Sequence, residues 1–148
     1  MKKDVRLKIT GTVNIHERGE EPRSDVIEYI TEGVLYRRGN ITKIAYDELE
    51  DSGLYGGKTF MTVTPSMVRV MRKDGDYVTL QMDFREGQRF TGEYTTPYGA
   101  FGLELLTNEI RGFDNGPEAG SKMIIDYSMS IKGLSESNNK LELEILTE

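Results

Sequence analysis

Met123-Ile124-Ile125-Asp126-Tyr127-Ser128-Met129-Ser130-Ile131-Lys132 is the stretch whose reading decides the fold. Its odd positions are apolar from Met123 to Ile131, while Asp126, Ser128, Ser130 and Lys132 alternate with them. A period of two is that of a β-strand with one buried and one wet face. The same alternation runs through Val5, Leu7, Ile9, Val13 and Ile15 against Arg6, Lys8, Thr10, Thr12 and Asn14. It returns at Val78, Leu80, Met82 and Phe84 against Thr79, Gln81 and Asp83, and at Leu141, Leu143 and Ile145 against Glu142 and Glu144. Composition agrees, since 32 residues are Val, Ile or Thr, which suit a pleated surface, and three are Ala, the best helix former.

Turn chemistry divides the chain between these runs at Arg38-Gly39-Asn40, Pro65-Ser66, Asp74-Gly75, Glu86-Gly87 and Thr96-Pro97-Tyr98-Gly99. Longer loops are expected near 16–24, 50–57, 112–120 and 133–139, the last containing the polar run Ser135-Glu136-Ser137-Asn138-Asn139. These breaks predict ten strands, at 3–15, 25–37, 40–49, 58–64, 67–73, 76–85, 88–96, 99–111, 121–133 and 139–147. Most connections are too short for anything but antiparallel neighbours. An up-and-down run of strands leaves two unpaired edges, and pairing the first strand with the last removes both. The expectation is an all-β, antiparallel, closed barrel of about ten strands, built as one domain over residues 1–148.

Several function classes are excluded at this level. No cysteine and a single histidine, His16, leave no disulfide framework, zinc ribbon or His-rich metal centre. Net charge is -6, against the basic excess of a duplex-binding surface, and the stretch between 69 and 89 is the one that leaves room for a local basic strip. Apolar runs stop at three residues, too short for a membrane helix or the apolar core of a signal peptide, so a cytoplasmic protein with no membrane partner is expected. No Gly-x-Ser-x-Gly elbow, Walker loop or Gly-x-Gly-x-x-Gly occurs, and acyl transfer, nucleotide hydrolysis and dinucleotide redox chemistry lack their usual parts.

Phe84, Gly87, Gly92 and Tyr94, then Thr96-Pro97-Tyr98-Gly99, follow Glu50-x-Ser52-Gly53-Leu54 and the earlier Ile30-Thr31-Glu32-Gly33-x-Leu35-Tyr36. In order and spacing these resemble the YwiB-like family of small bacterial barrel proteins, and the resemblance covers nearly the whole chain. It implies a calycin-like, lipocalin-like barrel. The motifs are structural signatures, so no catalytic residue is carried over with them.

Candidate binding residues are those a barrel can turn toward a ligand. Tyr46, Tyr94 and Tyr127 lie in predicted strands, where they either fill the core or line a cavity. Tyr98 is either a position in a Pro-Gly turn or a ring leaning over the barrel mouth. Arg69 shares a face with Met67 and Met71; turned inward it would anchor a carboxylate by its bidentate fork, and turned outward it would snorkel at a rim. Glu48 belongs to an acidic corner with Asp47, Glu50 and Asp51, which lacks the ligand spacing of a calcium loop. Strand 25–37 carries Glu28 and Glu32 on the face of Val26, Ile30 and Val34, a mixed face that suits the outside.

Together these readings describe a non-enzymatic barrel without cofactor that binds a small apolar or amphipathic acid, with Arg69 and one of Tyr46, Glu48, Tyr94 or Tyr98 meeting at a polar end. The alternative is a structural or regulatory module with a solid core that contacts another protein. A third reading is an enzyme whose carboxylate or tyrosine acid the sequence does not single out.

Overall fold

The computed structural model describes residues 2–16, 19, 21–47, 57–75, 77–96, 99–113, 118–132 and 135–147; the side chains of residues 16, 96, 135 and 147 lie outside that description. Ten strands run in chain order: β1 Lys2–His16, β2 Arg23–Arg38, β3 Ile41–Asp47, β4 Lys58–Val63, β5 Val68–Asp74, β6 Tyr77–Phe84, β7 Arg89–Thr96, β8 Gly99–Arg111, β9 Lys122–Ile131 and β10 Ser135–Thr147. Each pairs with its neighbours in sequence, and β1 closes onto β10, so the sheet is an antiparallel closed barrel. No helix is among the described residues, and none long and apolar enough to cross a membrane.

Alternation becomes a filled interior. Leu7, Leu35, Ile44, Met61, Phe84, Leu105, Ile125 and Leu143 come from eight different strands and are at most 1% exposed. The Phe84 and Tyr127 rings pack at 4.8 Å between centroids, tilted by 59°. The mixed face of β2 points outward, with Val26, Glu28, Ile30 and Glu32 exposed and Glu28 3.6 Å from Lys8. Turns follow the glycines: Gly39 and Gly75 have φ of 61° and 60°, a backbone region that side chains with a Cβ avoid.

Gly33 serves a different purpose. It faces inward opposite Tyr46, and a Cβ there would stand 2.7 Å from the Ala45 carbonyl oxygen and 2.9 Å from Leu7 Cδ1. The bare backbone is what lets β1 and β3 close over β2 at this point.

Most strand ends fall within two residues of expectation, and one differs by more. β10 begins at Ser135, four residues before the predicted 139, so the polar run 135–139 is strand. Ser137 and Asn139 face inward, only 7% and 6% exposed, and the Asn139 amide donates to Ser137 Oγ at 2.9 Å. Satisfying one another allows two polar side chains to occupy core positions, which hydrophobic alternation does not register.

Candidate functional site

β5 settles the orientation of its arginines. Val68 and Val70 are 2% and 1% exposed and face inward, which places Arg69 on the outer wall. There its Nε and terminal nitrogen donate to the two carboxylate oxygens of Asp83 at 2.8 and 3.0 Å, a bidentate fork between paired strands. The hydrogen bond from Arg69 holds the Asp83 carboxyl below the usual carboxylate range; burial opposes this, and the charges of Arg69 and Arg85 add to it. Arg69 therefore does not turn into the barrel, and its partner is a carboxylate of the protein.

The inward position belongs to Arg72, which shares the parity of Val68 and Val70. It stands in a lateral row of paired residues running Gly33, Tyr46, Thr59, Arg72, Leu80, Tyr94 and Phe101. Tyr46 is 3% exposed, Thr59 is fully buried and Tyr94 is half-buried against the core. Tyr46 and Tyr94 thus share a row with Arg72, two strands away on either side, and not with the outward Arg69 that the sequence reading placed beside one of them. Tyr127, 8% exposed between Thr107 and Asn139, lies within reach of the same charge. Burial pushes its phenol above the ordinary tyrosine range, and Arg72 pulls it partway back. Glu48 and Tyr98, with Pro97 and the Glu50–Leu54 motif, fall outside the described residues.

Open space lies at the end of the barrel where the β2–β3, β4–β5 and β6–β7 turns meet. A cleft of about 460 Å³ there has an apolar floor of Val63, Val68, Ile110 and Phe113 and a polar rim that includes Arg37, Asn40, Thr42 and Glu86. Local structure accounts for each part. Arg37 continues the inward parity of Gly33 and Leu35 to the last turn of β2, and it interacts with other groups of the chain. The Pro65-Ser66 break becomes a tight turn in which Thr64 N–H donates to the Met67 carbonyl at 2.9 Å and Met67 N–H donates to Thr64 Oγ1 at 3.1 Å. A bulge between Thr107 and Glu109 changes the phase of β8 and brings Ile110 to the cleft. The Ile110 N–H donates to Glu86 at 3.4 Å, drawing the carboxylate to the rim.

A second recess, also about 460 Å³, lies along β8, β9 and β10 and is lined by Arg89, Glu104, Ser128, Ser130, Glu136 and Asn138 among others. Serines and carboxylates share its lining with Leu105, Leu106 and Met129, and Arg89 already sits on Glu104 at 3.1 Å. Among the described residues no group of three or more His, Asp or Glu is placed to hold a metal ion. Asp47, the described member of the acidic corner, is exposed and 3.6 Å from Lys58.

The mouth cleft joins a guanidinium, neutral hydrogen-bonding groups and an apolar floor, which is chemistry for holding an amphipathic molecule by its polar end. The sequence reading missed Arg37, although the parity it shares with Leu35 and Gly33, opposite to that of Arg38, was a signal that could have found it.

Comparison with known proteins bears on the fold. Residues 8–143 match the family described as a domain of unknown function, DUF1934. The crystal structure of ywiB protein from Bacillus subtilis superposes with a TM-score of 0.67 at 24% identity, covering 97% of this chain and 94% of that one. The YwiB-like resemblance drawn from the sequence motifs is thus upheld at the level of architecture. No curated protein matches.

Proposed function

The chain belongs to the DUF1934 family, and from that premise we propose that it acts by binding a small amphipathic acid in the cleft at the mouth of its barrel. The observation that carries this reading is the cleft itself, a volume of about 460 Å³ with a mixed lining. That is within the range of small-ligand sites. The barrel's middle is occupied by its own side chains, so the ligand sits at the mouth, its hydrocarbon part on Val63, Val68, Ile110 and Phe113. Arg37 takes the acid group through its planar fork, with Thr42 and Asn40 as neutral partners. Glu86 on the rim opposes a second negative charge, which favours monoacids over diacids and phosphates.

Native mass spectrometry of protein purified from its own host identifies a retained ligand directly. With candidate fatty and aromatic monoacids, Arg37→Met is expected to lose about 1.5–3 kcal/mol of binding, the contribution of a charge-assisted hydrogen bond. Arg69→Met is expected to bind as the parent does, because its guanidinium lies on the outer wall. Equal affinity of Arg37→Met and the parent for the same acids removes this reading. The rival reading, an interaction module, draws on the exposed apolar side chains of β2.

A further inference from the structure

The mouth cleft is bounded from below by a closed layer of the barrel. Four of its lining residues, Arg37, Thr42, Val63 and Val68, belong to one lateral row of inward positions that runs on to the buried Phe84. Two residues farther along each strand, about 7 Å deeper, the next inward row is Leu35, Ile44, Met61, Val70 and Met82. None of them is more than 2% exposed. Side chains packed to that degree leave few voids larger than a water molecule, so an alkyl chain finds no channel between them. Across the barrel end the cleft reaches farther: its lining extends from Arg37 on β2 to Ile110 on β8 and to Phe113, which packs against the core.

Building on the mouth-cleft reading, we infer that the acid held there is a compact aryl monocarboxylate, and that the row from Leu35 to Met82 is the stop that denies long-chain fatty acids any gain from their length. Each methylene taken out of water raises affinity about fourfold, while one left in solvent adds nothing. A chain entering this cleft meets the stop within one layer, and its remainder stays wet. A flat ring lies across Val63, Ile110 and Phe113 without going deeper, and it loses fewer rotatable bonds on binding than a chain does. Phe113 selects further, because an aromatic pair in offset or edge-to-face contact gains beyond its buried area. The closed row therefore sets size, Phe113 sets ring type and Arg37 sets charge.

Isothermal titration calorimetry of the full chain with butanoate, hexanoate, octanoate and decanoate is the test, beside phenylacetate and cyclohexylacetate. Affinity is expected to climb from butanoate to hexanoate and then to level, with decanoate within about twofold of hexanoate, against roughly two-hundredfold for four further buried methylenes. Phenylacetate is expected to exceed cyclohexylacetate, its equal in carbon count, by about two- to tenfold. Phe113→Leu, which keeps an apolar surface, is expected to erase that difference. Met61→Ala clears the space beneath Val63 and is expected to restore the gain from hexanoate to decanoate, with Val70→Ala as the milder truncation should the first not fold. A gain that continues through decanoate in the parent overturns the inference, and it leaves the mouth reading in place as long as Arg37→Met weakens the whole series. Equal binding of the two ring acids, or a plateau that survives both truncations, overturns it as well. A parent that binds none of these acids removes the mouth reading and this inference together.

Discussion

The two parts of β2 share one strand, one alternation and similar residues, yet they live in different environments. Leu35, with β1 on one side and β3 on the other, is fully buried, whereas Ile27, of the same inward parity but with β1 as its one strand neighbour among the described residues, is 40% exposed. Among the described residues the difference is the number of flanking strands. A side chain in a barrel is sheltered by its lateral neighbours as much as by the contents of the interior, so the same pattern reads as core at one end of a strand and as surface at the other.

The largest expected effect tests that contrast directly. Leu35→Ala should cost about 2–5 kcal/mol, the usual range for a large-to-small change in a filled core. Ile27→Ala, at the matched inward parity, should cost about 1 kcal/mol or less. Urea denaturation of the two variants checks both, and similar losses would mean that the first part of β2 is covered as thoroughly as the second.

A smaller effect comes from Gly33→Ala. The new methyl meets the Ala45 carbonyl oxygen at 2.7 Å, and a backbone atom cannot rotate away, so overpacking of about 1–3 kcal/mol is expected. Gly11→Ala, where nothing lies within 4 Å, is the matched control and should change stability little. Thermal melting separates them, and a tolerant Gly33 would show that β1 and β3 do not close over β2 as described.

The smallest effect sharpens the comparison on the outer wall. Asp83 points outward yet is only 7% exposed, because the fork of Arg69 covers it. Asp83→Asn should cost about 1 kcal/mol, a charge-assisted pair discounted for the exposure of Arg69 to solvent. The folded-state pKa of Asp83 is depressed, so its contribution is full above the unfolded value near 3.8 and is lost as pH falls through the lower folded value. Parent and Asp83→Asn should therefore differ at neutral pH and converge in acid. Denaturation series at several pH values decide it, and a pH-independent difference would show that packing, rather than the ion pair, matters there.

Much of the architecture was legible because alternation and turn residues are local. All ten strands stand where these signals put them, give or take a few residues, and closure follows from the lack of any other cover for the end strands. The candidate site was legible only in its residue types. On β5 the sets Met67, Arg69, Met71 and Val68, Val70, Arg72 each offer two apolar residues and one arginine, so alternation alone does not say which face is inward. Pairing with Asp83 on the neighbouring strand chooses, and it sends Arg69 out. The beginning of β10 escaped for a related reason: Ser137 and Asn139 enter the core by bonding each other, a property of the pair that neither residue carries alone.

Strand number, strand order and the all-β class were therefore written in the sequence by itself, since each depends on residues close together along the chain. The inward arginine, the mouth cleft and the exposure of residues 23–28 were decided by the tertiary structure. Each depends on what stands across the sheet or across the barrel. In a chain folded by alternation, a shift of one residue in phase reverses every side chain beyond it, and the bulge at Thr107–Glu109 does this to bring Ile110 inside. Local chemistry sets the period, and only the closed set of pairings sets the phase.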